Sequence, residues 1–299
     1  MLTNIITNMN GVGLQRDAEM LRPVLEQLGH QVSFVQFNNP VGVKHADANI
    51  FMEVVVPGLF RFAPRQFLFV NPEWYAKEWN QYLVHYEKVF CKTEDAYRIF
   101  SGIAGAAKCV RVGFFARDLL DPKVERFREF VHLVGKSQNK NTEAVIACWK
   151  TYSLPWKLTV ISETYDQSIG HVHFYRRLED AAIAPIMNHA WFHLMPSRYE
   201  GFGHSLHESM GCGAVVLTTA RPPMSEVVGL QKELMIQPIS AQPHHYGLMH
   251  TVGPEQVRVA VEKAMALSDL ELWRIGLEAR RAFELERPNF VEAFSAVFK

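Results

Sequence analysis

Two rhythms of apolar positions alternate along the first part of the chain. Short β-rich runs read as strands in "NIIT" from Asn4, "QVSFVQF" from Gln31, "NIFMEVVV" from Asn49, "QFLFV" from Gln66, "KVFC" from Lys88 and "KCVRV" from Lys108. Between the first two lies "LQRDAEMLRPVLEQLG", in which Leu14, Ala18, Leu21, Leu25 and Leu28 fall on one helical face and Gly29 supplies a stop. Strands alternating with amphipathic helices predict βαβ units and a parallel sheet.

The rhythm breaks in "GFFARDLLDPKVERFRE", where Gly113, an Asp-Pro pair and a run of charges mark an interdomain linker. It restarts at Glu129. The order is strand "EFVHLVG", helix "NTEAVIACWKTY", strands "WKLTVI" and "HVHFY", helix "EDAAIAPIMNHA", strand "WFHLMP", a helix after Gly203 and strand "AVVLTT". That is a second parallel-sheet domain of Rossmann-like order. From Pro254 the tail reads as two or three helices ending in "PNFVEAFSAVFK". The expected division is residues 1–118, residues 119–285 and a closing helix over 286–299 packing back on the first domain.

The chain has 299 residues, with 31 Lys plus Arg against 31 Asp plus Glu. No global field draws it to nucleic acid or an anionic membrane, so any bound anion must be held locally. There is no basic leader followed by a long apolar run and no window of about 18 apolar residues, which predicts a soluble cytoplasmic protein. Cys91, Cys109, Cys148 and Cys212 are scattered singly among apolar residues and read as reduced, buried small hydrophobes. His171, His173, His189 and His193 lie in or beside apolar strands and read as core or edge histidines. The Pro243, His244, His245 group has no carboxylate at a metal-ligand spacing, and no metal site is expected there.

Chemistry concentrates in "PSRYEGFGHSLHESMGCGAVVLTT", from Pro196 to Thr219. Gly201, Phe202 and Gly203 form a loop that lets backbone approach a ligand, and a helix begins at His204. This puts a glycine turn and a helix N-terminus at the carboxyl end of a strand, where N–H groups and the helix dipole can hold phosphate. Glu200 would repel a phosphate placed too near, so it fits better as an acceptor for hydroxyl groups. Glu208 lies about one turn into the helix, and the two carboxylates can grip different parts of one elongated ligand. A sugar, a diphosphate and a ribose in line make a nucleotide sugar.

The same residues carry a resemblance. Glu200 and Glu208, with seven residues between them, resemble the Glu-x7-Glu signature of retaining GT-B glycosyltransferases of the group 1, or family 4, type. "NGVGLQRDAEMLRPVLEQLGHQVSFV" is similar to that family's N-terminal glycine loop, helix and strand, and "HLVGKSQNKNTEAVIACW" to the start of its C-terminal domain. The resemblance implies two Rossmann-like domains facing across a cleft, with C-terminal helices. The acceptor faces residues 1–118 and the nucleotide sugar binds in 119–285. It implies Glu200 on the transferred sugar, Glu208 on the ribose, Lys136 and Lys140 on the diphosphate, and Gly201, Phe202, Gly203, His204, Gly11 and Gly13 around the donor. On the acceptor side, position alone suggests Asn71, Glu73 and Trp74, with Trp74, Tyr75 and Trp79 either helix packing or a stacking platform.

The chain departs from the family in carrying Lys136 where an arginine is usual and in its short N-terminal domain. The expected activity is metal-independent transfer of a sugar from a nucleoside diphosphate sugar, with retention of configuration. No cofactor is expected, and a UDP- or GDP-sugar is the substrate. The acceptor classes left open are glycans, lipid-linked glycans, small molecules and a nucleic-acid base. Two rivals stand beside this: an inactive nucleotide- or sugar-binding module, and a phage-type transferase acting on DNA bases, for which Arg61, Arg65, Arg98, Arg111 and Arg117 supply local cations.

Overall fold

The computed structural model describes residues 1–9, 13–165, 170–176, 178–227 and 232–298. They divide into two compact units. The first comprises Met1–Phe114, the short segment His244–Gly247 and the chain from Pro288 onward, and the second comprises Phe115–Pro243 and Leu248–Arg287.

In the first unit β1 (Leu2–Thr7) leads into α1 (Gly13–Gln27) and β2 (Gln31–Gln36), followed by β3 (Ala48–Met52), β4 (Arg65–Val70), β5 (Lys88–Cys91), α2 (Glu94–Ala104) and β6 (Cys109–Arg111). Two 3-10 segments, Pro57–Phe62 and Lys77–His85, join β3 to β4 and β4 to β5. The six strands pair in parallel in the order β2-β1-β3-β4-β5-β6. Strands β1, β3, β4 and β5 are almost wholly buried, which explains why they read as continuous apolar runs rather than alternations. Helix α1 closes as its sequence implies, with Gly29 in the left-handed region at φ 81°. The run from Asn49 does not continue as one strand to Val56. It stops at Met52 because Glu53 turns into the left-handed region at φ 59° and swings its carboxylate to Lys92.

The second unit contains β7 (Phe127–Gly135), α3 (Thr142–Tyr152), β8 (Leu158–Ser162), β9 (Val172–Tyr175), α4 (Asp180–His189), β10 (Ala190–Met195), α5 (His204–Gly211), β11 (Val215–Thr218) and the short α6 (Met224–Val227). Its parallel sheet runs β11-β10-β7-β8-β9. A hairpin of β12 (Ser240–His244) and β13 (Gly247–Thr251) comes next, unforeseen in the sequence because its first strand is polar and mostly exposed and lacks apolar alternation. The tail forms α7 (Pro254–Met265) and the 30-residue α8 (Asp269–Phe298). Residues 286–298 therefore continue α8 rather than start a separate helix. Gly276 on α8 is required by contact: a Cβ there would lie 2.4 Å from the Gly213 carbonyl oxygen. That backbone contact seats α8 against the corner between α5 and β11.

All four cysteines are buried and unpaired. Two buried histidines tie the second sheet together. His132 on β7 bonds Leu194 O through Nδ1 at 2.6 Å and Thr142 Oγ1 through Nε2 at 3.0 Å. His193 on β10 bonds Ser209 Oγ at 2.7 Å and Met187 O at 2.9 Å. Burial lowers both imidazoles to about 4, so the folded protein holds them neutral. The unfolded chain binds these protons near pH 6.5, and the folded chain binds them only near pH 4. Stability is therefore full above pH 6.5 and falls as pH drops towards 4. We expect thermal melts to show Tm declining over this window. His193→Gln should reduce the pH slope while lowering Tm at pH 7, and an unaltered slope would mean other groups set the acid limit.

Candidate active site

Strand β10 ends at Met195, and the chain beyond it is fixed by hydrogen bonds. Thr219 Oγ1 donates to Ser197 O at 2.7 Å, Arg198 N donates to Asn139 O at 2.9 Å, and His250 N donates to Arg198 O at 2.8 Å. Asn141, which precedes α3 in the left-handed region at φ 48°, donates from Nδ2 to Pro196 O at 2.7 Å and to His250 O at 3.1 Å. The loops after β7 and β10 are thereby held side by side.

This clamp brings Lys140 to Glu200. Lys140 Nζ pairs with Glu200 Oε1, and Ser197 Oγ donates to the same oxygen at 2.5 Å. Both side chains are largely buried, at 11% and 14% exposure, so little water screens the pair. Glu200 Oε2 accepts no hydrogen bond among the described residues. Lys140 Nζ also lies 3.5 Å from Ser205 Oγ in the first turn of α5.

Gly203 initiates α5 at φ 91°, a conformation that side chains rarely adopt, and a Cβ there would meet Leu206 Cδ1 at 3.0 Å. The glycine is thus demanded both by backbone conformation and by space. Gly201 and Phe202 are buried beside it, and His204 and Ser205 are half-buried. Among the described residues nothing accepts a hydrogen bond from the backbone N–H of Gly203 or Ser205, so this helix start presents donors and a positive dipole end. The Phe202 ring stacks on His207, with centroids 3.9 Å apart and 13° between planes, and His207 Nδ1 pairs with Glu286 of α8.

Glu208 is buried one turn on and accepts from Arg117 Nε at 2.9 Å. Arg117, Ser197 and Asn141 escaped the sequence reading of this site. Arg117 sits in the linker, 91 residues from its partner, and only folding reveals the pairing. Lys136 follows Gly135 at the end of β7 and is exposed, with no hydrogen bond or ion pair among the described residues. The structure therefore joins Lys140 to Glu200 but pairs Lys136 with neither carboxylate.

The other sequence candidates lie in the first unit. Gly13 is the first residue of α1, where a Cβ would meet nothing within 4 Å, and Gly11 lies outside the described residues. Asn71 follows β4 and donates from Nδ2 to Glu53 Oε2 at 2.9 Å, while its Oδ1 accepts from Glu73 N at 3.0 Å. Glu53 Oε1 in turn pairs with Lys92 Nζ at 2.7 Å, and Lys92 also pairs with Asp17. Burial alone would lower Lys92, but the two carboxylates reverse this and hold it charged. Asp17, Glu53 and Lys92 carried no sequence signal, since their pairing joins residues far apart in the chain. Trp74 is 53% exposed, whereas Tyr75 is buried.

Residues 121–243 match the family described as glycosyl transferases group 1. That stretch lies in the second unit, which is similar to this family there. The match covers less than half of the chain and includes the loop from Pro196, Glu200, Glu208 and Lys140. Comparison with curated protein sequences gives no match. Among solved structures, a glycosyltransferase from Rickettsia africae ESF-5 superposes with a TM-score of 0.75 at 10% identity, covering 100% of this chain and 97% of that one. A sucrose-phosphate synthase from Thermosynechococcus elongatus gives 0.72 at 12% identity, with coverages of 100% and 98%. A trehalose-6-phosphate protein of E. coli, bound with UDP-2-fluoro glucose, gives 0.67 at 10% identity, with coverages of 99% and 98%. At these identities the shared property is the fold, which is the α/β fold of GT-B glycosyltransferases. No helix among the described residues is long and apolar enough to cross a membrane.

The Arg117–Glu208 pair generates a direct test. Arg117→Ala leaves a carboxylate buried without its cation and should cost about 3 kcal/mol in chemical denaturation. Glu208→Gln in the Arg117→Ala background should recover part of that loss. If Arg117→Ala alone costs nothing measurable, the pair contributes no stability.

Proposed function

We propose that the chain is a metal-independent, retaining glycosyltransferase that uses a nucleoside diphosphate sugar. The observation that carries this reading is that, among the described residues, Glu200 Oε2 beside Lys140 and the N–H groups of Gly203 and Ser205 have no hydrogen-bond partner. An acceptor for hydroxyls, a cation and a helix start lie within one short loop. A sugar bound through hydroxyls at Glu200 brings its diphosphate to Lys140 and the α5 N-terminus, which offset the charge on the leaving nucleoside diphosphate. Glu208, one turn further on, takes the ribose hydroxyls, with Arg117 holding its carboxylate in place. Lys136, exposed and unpaired, supplies a second cation to the diphosphate once the donor is present.

Retention follows from what Glu200 does not do. Its Oε1 is committed to Lys140 and Ser197, and in this reading the carboxylate receives hydroxyl donors instead of attacking the anomeric carbon. Transfer then proceeds by front-face attack: the sugar–phosphate bond breaks, the departing phosphate oxygen takes the acceptor proton, and the acceptor oxygen bonds to the anomeric carbon. The charge that a metal ion can provide comes here from Lys140 and the helix end. The E. coli neighbour bound with UDP-2-fluoro glucose favours a UDP-sugar as donor, and the first unit is assigned to the acceptor.

A thermal-shift panel of UDP, GDP, ADP and their sugars identifies the donor, because a ligand that binds only the native state raises Tm. We expect one nucleotide to dominate. Lys140→Ala and Glu208→Ala should each lower donor turnover about a hundredfold or more while circular dichroism stays native. Unchanged turnover in both variants sinks the proposal, and tight nucleotide binding without turnover of any donor makes the chain a binding module instead.

A further inference from the structure

The hairpin tip His244–Gly247 belongs to the first unit, where Tyr246 anchors it. Tyr246 N donates to Pro72 O at 3.1 Å, Asn80 Nδ2 donates to Tyr246 Oη at 2.7 Å, and the Tyr246 ring packs against Tyr75 and Phe100. The two residues before the anchor are thereby set against Trp74. The His244 ring meets the indole edge-on at 5.8 Å and 86°, the His245 ring lies 6.5 Å away, and the two imidazoles are 4.7 Å apart. His245 is held at φ 51°, which costs a non-glycine residue backbone energy and persists because the anchored tip imposes it.

Of the aromatic residues in "PEWYAKEW", Tyr75 is buried and Trp79 packs against the first unit's core, whereas Trp74 stays half-exposed. Its backbone N–H bonds Asn71 O at 3.1 Å, which links the indole to the Asn71, Glu53, Lys92 and Asp17 network at the strand ends. Glu73 is buried between them in sequence. Asp17 and Glu53 both pair with Lys92, so this network sets two carboxylates against one ammonium.

We infer that Trp74, His244 and His245 form a platform for a neutral saccharide acceptor. A pyranose ring offers apolar C–H faces to an indole and hydroxyls at its edge, and imidazoles can both donate to and accept from those hydroxyls. The two carboxylates of the network that Asn71 joins to Trp74 favour hydroxyl donors over phosphate, so a sugar fits where a nucleic-acid strand, although its bases also stack on tryptophan, does not. The inference rests on the glycosyltransferase reading and names the acceptor class for it.

The test measures saccharide binding directly, by saturation-transfer NMR with a panel of neutral mono- and disaccharides and a short single-stranded oligonucleotide, in the presence of UDP. We expect at least one saccharide to bind. Trp74→Ala should weaken it tenfold or more and Trp74→Phe by less than threefold. In transfer assays Trp74→Ala should raise the acceptor KM by the same factor. Absence of saccharide binding, equal binding by Trp74→Ala, or preference for the oligonucleotide overturns the inference. If saccharide binding depends on Trp74 but no nucleotide sugar is turned over, the glycosyltransferase reading fails and the platform stands as a saccharide site.

Discussion

The arrangement of the second unit's site depends on one buried amide. Asn141 Nδ2 donates to the carbonyls of Pro196 and His250, and through them joins the start of α3, the loop after β10 and the end of β13. These three segments are distant in sequence, and the amide meets a carbonyl from two of them in the interior. A buried unpaired carbonyl costs about 1–3 kcal/mol, so the amide enforces the alignment of the loops as well as filling the space. Lys140 and Ser197 reach the same carboxylate oxygen only because this alignment holds.

With the loops aligned, electrostatics decides what each carboxylate can do. Glu200 and Glu208 both lie in surroundings too dry for a lone charge, and each is matched by a cation from another segment: Lys140 for Glu200 and Arg117 for Glu208. The pairing fixes where each carboxylate points, so that its oxygens can accept hydrogen bonds from hydroxyl groups. The positive end of α5 then remains the uncompensated charge in the loop, and that is where an anionic diphosphate gains most. Gly203 makes this geometry attainable, since its positive φ is one that side chains rarely adopt.

Local features of this fold were legible in the sequence, and features made by distant pairing were not. The apolar runs of β4 and β10 could be read because burial on both faces leaves no polar alternation. The glycine loop and Glu200 could be read because they share one short segment. Arg117 could not, because nothing near position 117 records a partner at 208. Glu53 misled the strand reading: the residues on both sides are apolar, and only the pull of Lys92 explains the turn at that position. The β12–β13 hairpin was invisible for the opposite reason, since "SAQPHHYG" contains little apolar surface to mark it.

Backbone strain follows the same division. Among the described residues, the non-glycine residues with positive φ are Glu53, Asn141, Ser153 and His245. Ser153 ends α3, where its N–H bonds Trp149 O, an ordinary helix terminus. The other three sit where side chains converge on a candidate site: Glu53 in the ionic network, Asn141 in the loop clamp and His245 beside Trp74. Such conformations cost about 1–3 kcal/mol each and survive only where neighbours over-determine them. In each case the neighbour can be named, as Lys92, the Pro196 carbonyl and the anchored Tyr246. The strain is therefore offset by contacts that also orient a polar or aromatic group, so the residues that hold the loops in shape are the ones that give them their chemistry.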